Sequence, residues 1–99
     1  MTTMSKAYVI ADIEVTDPES YGRYRELSGP AVAAYGGRFL IRGGRTEVLE
    51  GDWQPHRVVV LEFDDEPSAQ AFYHSPEYAE AIKIRQSAAT SSFILVEGA

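Results

Sequence analysis

The chain reads as an α+β domain of order β-α-β-β-α-β, a four-stranded antiparallel sheet with two helices on one face. Three observations predict this class. Short runs of apolar residues alternate as strands do, two helix starts are marked by aspartate and proline, and glycine pairs punctuate the segments between.

Residues 7–15, Ala-Tyr-Val-Ile-Ala-Asp-Ile-Glu-Val, form the first strand, with Val9, Ala11, Ile13 and Val15 on one face. In Thr16-Asp17-Pro18-Glu19 a helix begins: Asp17 caps, Pro18 suits the first helical position, and Glu19 favours the positive end of the helix dipole. Tyr21, Tyr24, Ala31, Val32 and Tyr35 recur at helical spacing, Gly29-Pro30 predicts a kink, and Gly36-Gly37 predicts a left-handed cap. The second strand is expected over residues 38–50, with a bulge or bend at Gly43-Gly44. Gly51 to Pro55 is a loop, and residues 57–63 are the third strand. A second helix starts at Asp65-Glu66-Pro67; His74-Ser75-Pro76-Glu77 predicts a break and a fresh cap at Ser75; Phe93 to Glu97 is the last strand. Elements in this order make a ferredoxin-like domain, a single unit over residues 1–99 with its core at about 7–98.

Two helices cover only one face of such a sheet, yet both faces are apolar. Tyr8 and Ile10 oppose Val9 and Ala11; Val58 and Val60 oppose Val59, Leu61 and Phe63; Ile94 and Val96 oppose Phe93 and Leu95. An uncovered apolar face of that size is rare on a monomer, and a second copy packed by twofold symmetry is the commonest remedy. A homodimer is therefore expected.

The 99 residues carry a net charge of −6, which disfavours nucleic acid and anionic membranes as partners. With no cysteine there is no disulfide framework and no thiolate chemistry. No apolar run is long enough to span a bilayer, and the first residues lack the apolar core of a signal peptide, so a cytoplasmic protein is expected.

Charges that interrupt apolar strands are the candidate chemistry: Asp12, Arg42, Glu62 and Glu97. A carboxylate at Glu62, beside Val58 and Val60, needs a partner, and Arg42 or Arg85 would suit it. Such a patch either grips a small carboxylate or enolate-like molecule or fixes the dimer register as a structural ion pair. His74, beside the helix break, is a candidate general base. Tyr24, Tyr35, Tyr73 and Tyr78 turn toward the sheet, as core residues or as the lining of a pocket for a polar aromatic ligand. The candidate pocket is thus Arg42, Glu62, His74, Tyr78 and Arg85. His56 and His74 have no partner at metal-ligand spacing, and no phosphate loop or nucleophile elbow is present, so neither a metal nor a cofactor is expected.

Tyr35-Gly36-Gly37-Arg38, Arg42-Gly43-Gly44, Glu50-Gly51-Asp52-Trp53, Glu62-Phe63, Ser75-Pro76-Glu77-Tyr78 and Val96-Glu97-Gly98 together resemble the family called domain of unknown function 1330, over residues 7 to 98. That family is similar in fold to the dimeric α/β-barrel superfamily, which includes cofactor-free monooxygenases, muconolactone isomerases and chlorite-dismutase-like haem proteins. The resemblance implies a homodimer with a pocket between sheet and helices, and it implies no activity. Two functions compete: a small-molecule-binding dimer, with a cofactor-free monooxygenase- or isomerase-like enzyme as its catalytic version, and a non-catalytic assembly protein.

Overall fold

The computed structural model describes residues 5–99, among which the elements run β1 (Ala7–Val15), α1 (Pro18–Ala34), β2 (Arg38–Arg42), β3 (Val58–Phe63), α2 (Glu66–Tyr73), α3 (Pro76–Ala88) and β4 (Ala89–Glu97). The strands form one antiparallel sheet in the order β2-β3-β1-β4, and the buried core lies between that sheet and the helices. The fold is ferredoxin-like α+β, as the element order predicts. No helix of the described residues is long and apolar enough to cross a membrane.

Each helix starts where its cap places it. The carboxylate of Asp17 accepts from the Ser20 N–H at 3.3 Å, that of Asp65 from Ser68 at 2.8 Å, and Ser75 Oγ accepts from the Tyr78 N–H at 3.1 Å. The Ser75 cap splits the second helical region into α2 and α3, the break the sequence predicts. Gly36 takes a φ of 75°, the left-handed conformation that ends α1.

Four expectations are corrected. α1 runs unbroken through Pro30: the ring sits on the exposed side, while Tyr21, Tyr24, Ser28, Ala31 and Val32 bury the other side and hold one axis. β2 stops at Arg42 instead of continuing to residue 50. It is an edge strand and β3 begins only at Val58, so residues 45–50 have no strand to pair with. The bulge falls between Phe39 and Ile41, not at the glycine pair. β4 is longer than expected because β1 pairs with it all the way to Val15↔Ala89, a stretch whose Thr and Ser residues hide the alternation.

The strand register sorts the sheet into two faces. On the helix side, one row runs Phe39, Leu61, Val9, Leu95 and the next runs Arg42, Val59, Ala11, Phe93. On the open side, one row runs Ile41, Val60, Ile10, Ile94 and the next runs Arg38, Glu62, Tyr8, Val96. Ile94 is 58% exposed and Ile41 46%, so an apolar band crosses all four strands uncovered by the helices.

Candidate functional site

The bulge decides where Arg42 points. Side chains alternate along a strand, and Phe39 faces the helices opposite Leu61. Plain alternation would send Arg42 to the open face. The extra residue at Leu40 moves Ile41 opposite Val60 and Arg42 opposite Val59, so Arg42 turns inward. Its guanidinium lies 3.9 Å over the Phe39 ring and reaches α1, where a Cβ on Gly29 would stand 4.0 Å from it.

Arg42 there joins Arg25 of α1 and Arg57, the residue before β3, along one cleft between α1 and the sheet. Tyr21, Tyr24 and Tyr78 line the same cleft, with Phe39, Val59, Leu61 and Phe93 as its apolar wall. The enclosed cavity is about 20 Å³, room for about one water molecule. A larger ligand must therefore displace the exposed arginine side chains at the mouth. Arg57 is seated by two devices. Asp12 accepts its N–H at 3.2 Å, and Gly43 leaves room for its guanidinium, which a Cβ there would strike. The Arg57 Nε is buried without a hydrogen-bond partner.

Arg85 of α3 stands behind this cleft. It is 4% exposed, and its Nη1 donates to the Tyr78 hydroxyl at 2.8 Å. Its guanidinium carbon lies 4.1 Å over the Phe93 ring and 5.8 Å from the centre of the Tyr24 ring. Aromatic faces and one hydroxyl thus hold this cation; its Nε is buried without a partner.

Among the described residues none of Arg25, Arg42, Arg57 and Arg85 forms an ion pair. Four of the nine basic residues of an acidic chain therefore converge on one cleft without a carboxylate. Burial, together with the positive charges of Arg25 and Arg57, pulls the Arg42 guanidinium below its ordinary value.

Of the residues singled out in the sequence, Arg42, Tyr78 and Arg85 meet on this side of the sheet. Glu62 does not join them. It lies on the open face, where Arg38 Nε donates to it at 2.6 Å and the Tyr8 hydroxyl at 2.9 Å. Its expected pairing with Arg42 or Arg85 is ruled out by strand parity, since Glu62 shares its face with Val58 and Val60. The Tyr8 hydroxyl and the Arg38 guanidinium hold the Glu62 carboxyl below the usual range. His74 follows α2 at its C-terminal end, exposed and edge-on to Tyr73, and does not line the cleft. Arg25, Arg57 and Tyr21 were not among the sequence candidates. A signal existed for Arg57, which shares the parity of Val59, Leu61 and Phe63, and for Arg25, one helical turn after Tyr21.

In solved structures the fold recurs. A protein of unknown function from Rhodopseudomonas palustris superposes with a TM-score of 0.78 at 22% identity, covering 96% of this chain and 83% of its own. SnoaB from Streptomyces nogalater, described as a cofactor-independent oxygenase, gives 0.66 at 12% identity, with 96% and 94% covered. A protein from Thermobifida fusca, described as dimeric, ferredoxin-like and of unknown function, gives 0.59 at 13% identity, with 99% and 95% covered. At these identities the likeness is one of fold. Comparison with curated proteins gives no match. The family model for the domain of unknown function DUF1330 matches residues 6–99, nearly the whole length, and the chain belongs to that family.

Proposed function

We propose that the chain is a cytoplasmic homodimer that binds a small anionic molecule, aromatic or otherwise conjugated, in the cleft between α1 and the sheet. One observation carries the ligand: Arg25, Arg42 and Arg57 converge on a tyrosine-lined cleft with no carboxylate to neutralise them. Unpaired guanidinium groups close together repel one another, and an oxyanion relieves that repulsion while accepting their hydrogen bonds. The dimer is supported by the apolar band Ile41, Val60, Ile10, Ile94 on the open face and by a fold neighbour described as dimeric. A thermal-shift series with small carboxylates and phenols tests the ligand. Stabilisation that disappears in Arg42→Met and Arg57→Met is expected, and a wild-type chain indifferent to every such anion rules the reading out. Sedimentation velocity tests the dimer.

A second reading makes the same cleft the site of a cofactor-free enzyme. It is favoured by the neighbour described as a cofactor-independent oxygenase. Under that reading the candidates for contact with the substrate are Arg42 and Tyr78, with Arg85 behind them. Glu62 and His74 stay outside the cleft and take no part in it. A non-catalytic dimer, locked only by interface ion pairs, accounts for Arg38 and Glu62 but leaves the four inward arginines without a role.

A further inference from the structure

The inner end of the cleft has one hydroxyl hydrogen more than it has acceptors. The oxygens of Tyr24 and Tyr78 lie 2.6 Å apart, and that contact uses one of their two hydrogens. Arg85 brings only donors, one of them already given to Tyr78. Among the described residues neither hydroxyl has a further partner. Whichever tyrosine donates to the other, one O–H is left over, and both tyrosines line the cleft. Arg85 favours one orientation. Its N–H on the Tyr78 oxygen pulls electron density out of the Tyr78 O–H bond, which favours Tyr78 as the donor to Tyr24 and leaves the Tyr24 hydrogen for the cleft.

The pair is a donor and not a base. Burial, with the Tyr24 oxygen next to it, holds the Tyr78 hydroxyl well above the usual tyrosine range, so it keeps its proton at neutral pH. The residues lining the cleft include no Asp, Glu or His. Nothing there takes a proton from a bound acid. Everything polar there stabilises an oxygen that has already lost one.

We propose that the cleft selects the deprotonated form of a flat oxygen acid, a phenolate or an enolate. Tyr24 donates to its oxyanion, Arg25, Arg42 and Arg57 balance its charge, and Phe39 and Phe93 flank its hydrocarbon body. This rests on reading the cleft as the ligand site. On binding, the acid's O–H bond breaks, the electron pair stays on oxygen, and the proton leaves to water. Tyr78 and Arg85 are positioning residues, acting through Tyr24.

The test is a pH titration of 4-nitrophenol with the full chain, followed by the phenolate absorbance. The bound probe is expected to titrate about one unit below the free probe, meaning that the phenolate binds about tenfold more tightly than the phenol. Tyr24→Phe removes one oxygen at the cleft wall and should still bind the probe with a smaller shift. Arg85→Met should also shrink the shift, and Arg85→Lys should restore part of it, an outcome that a purely structural role would not produce. Should Arg85→Met fail to fold, as judged by circular dichroism, Tyr24→Phe decides alone. A probe that binds with its midpoint unchanged or raised overturns the inference and leaves the cleft as a ligand site. So does a shift that Tyr24→Phe leaves whole. A wild-type chain that binds neither the probe nor any small carboxylate removes the ligand site and this inference with it.

Discussion

The two faces of the sheet carry charge in opposite ways. On the open face every charge that interrupts the apolar rows is answered. Glu62 accepts from Arg38 and Tyr8, and Asp12 accepts from the Trp53 indole at 3.1 Å and the His56 N–H at 2.8 Å. On the helix side Arg25, Arg42, Arg57 and Arg85 have no carboxylate at all. Paired charges set in an apolar band act as locks: they fix register and tie down a loop. Unpaired charges of one sign around a cleft hold the chain in a state that a ligand of the other sign improves. The contrast separates the residues that hold the molecule together from those that the proposed ligand would engage.

The largest expected effect tests the open face. Ile94→Asp places an unpaired charge in the middle of the apolar band and should weaken the proposed dimer at least about a hundredfold in Kd, read by sedimentation velocity across concentration. An unchanged dimer would mean that the band is not the interface. Next, Gly37→Ala tests the packing of the helix side. Its new Cβ would stand 2.5 Å from a ring carbon of Phe63, which is wholly buried and cannot move aside. A loss of about 1–3 kcal/mol in denaturant unfolding is expected, with the proposed dimer unaffected. Third, deleting Leu40 removes the bulge but keeps Ile41 opposite Val60 and Arg42 opposite Val59, so Arg42 still faces the helices. Anion-induced stabilisation should survive that deletion in a thermal-shift series, whereas Arg42→Met should abolish it and leave the unliganded Tm unchanged or raised, because a repelling charge is gone.

The smallest effect is the pH dependence, and the two faces should differ in it. Glu62 is held below its ordinary value of 4.5, chiefly by the Tyr8 hydroxyl and Arg38. Asp12 is raised most by its partial burial, yet the His56 N–H, the Trp53 indole and the Arg57 N–H together bring it below 3.8. For a depressed carboxyl the unfolded chain binds more protons in the titrating range. Its contribution is therefore present above the ordinary value and is lost as pH falls through the native one. Tm should decline below about pH 4.5, less steeply in Glu62→Gln, as a melting series would show. Binding of an aryl sulfonate, whose charge does not change there, should stay flat across the same window in folded protein, since no carboxyl or imidazole lines the cleft.

Much of this molecule is written locally. Asp17, Asp65 and Ser75 cap helices because a short oxygen-bearing side chain before a proline does so in any context, and the apolar alternation of β1 and β3 gives strands on length scales of a few residues. The need to cover both sheet faces is legible too, since it follows from parity and from the count of helices. The candidate site was only half legible. Arg42, Tyr78 and Arg85 stand out as polar or aromatic groups in apolar segments, but the pairing of Arg42 with Glu62 was wrong by one face. A single extra residue at Leu40 reverses every side chain beyond it, and no residue type at that point announces it.

The elements, their order and the apolar character of both sheet faces are therefore local properties of the chain, set by neighbours three or four residues away. Which charges meet is a property of the folded molecule alone. Arg25, Arg42, Arg57 and Arg85 come from α1, β2, the entry to β3 and α3. Their convergence depends on strand order, on one bulge and on the packing of α1 over the sheet, none of which leaves a local pattern along the chain.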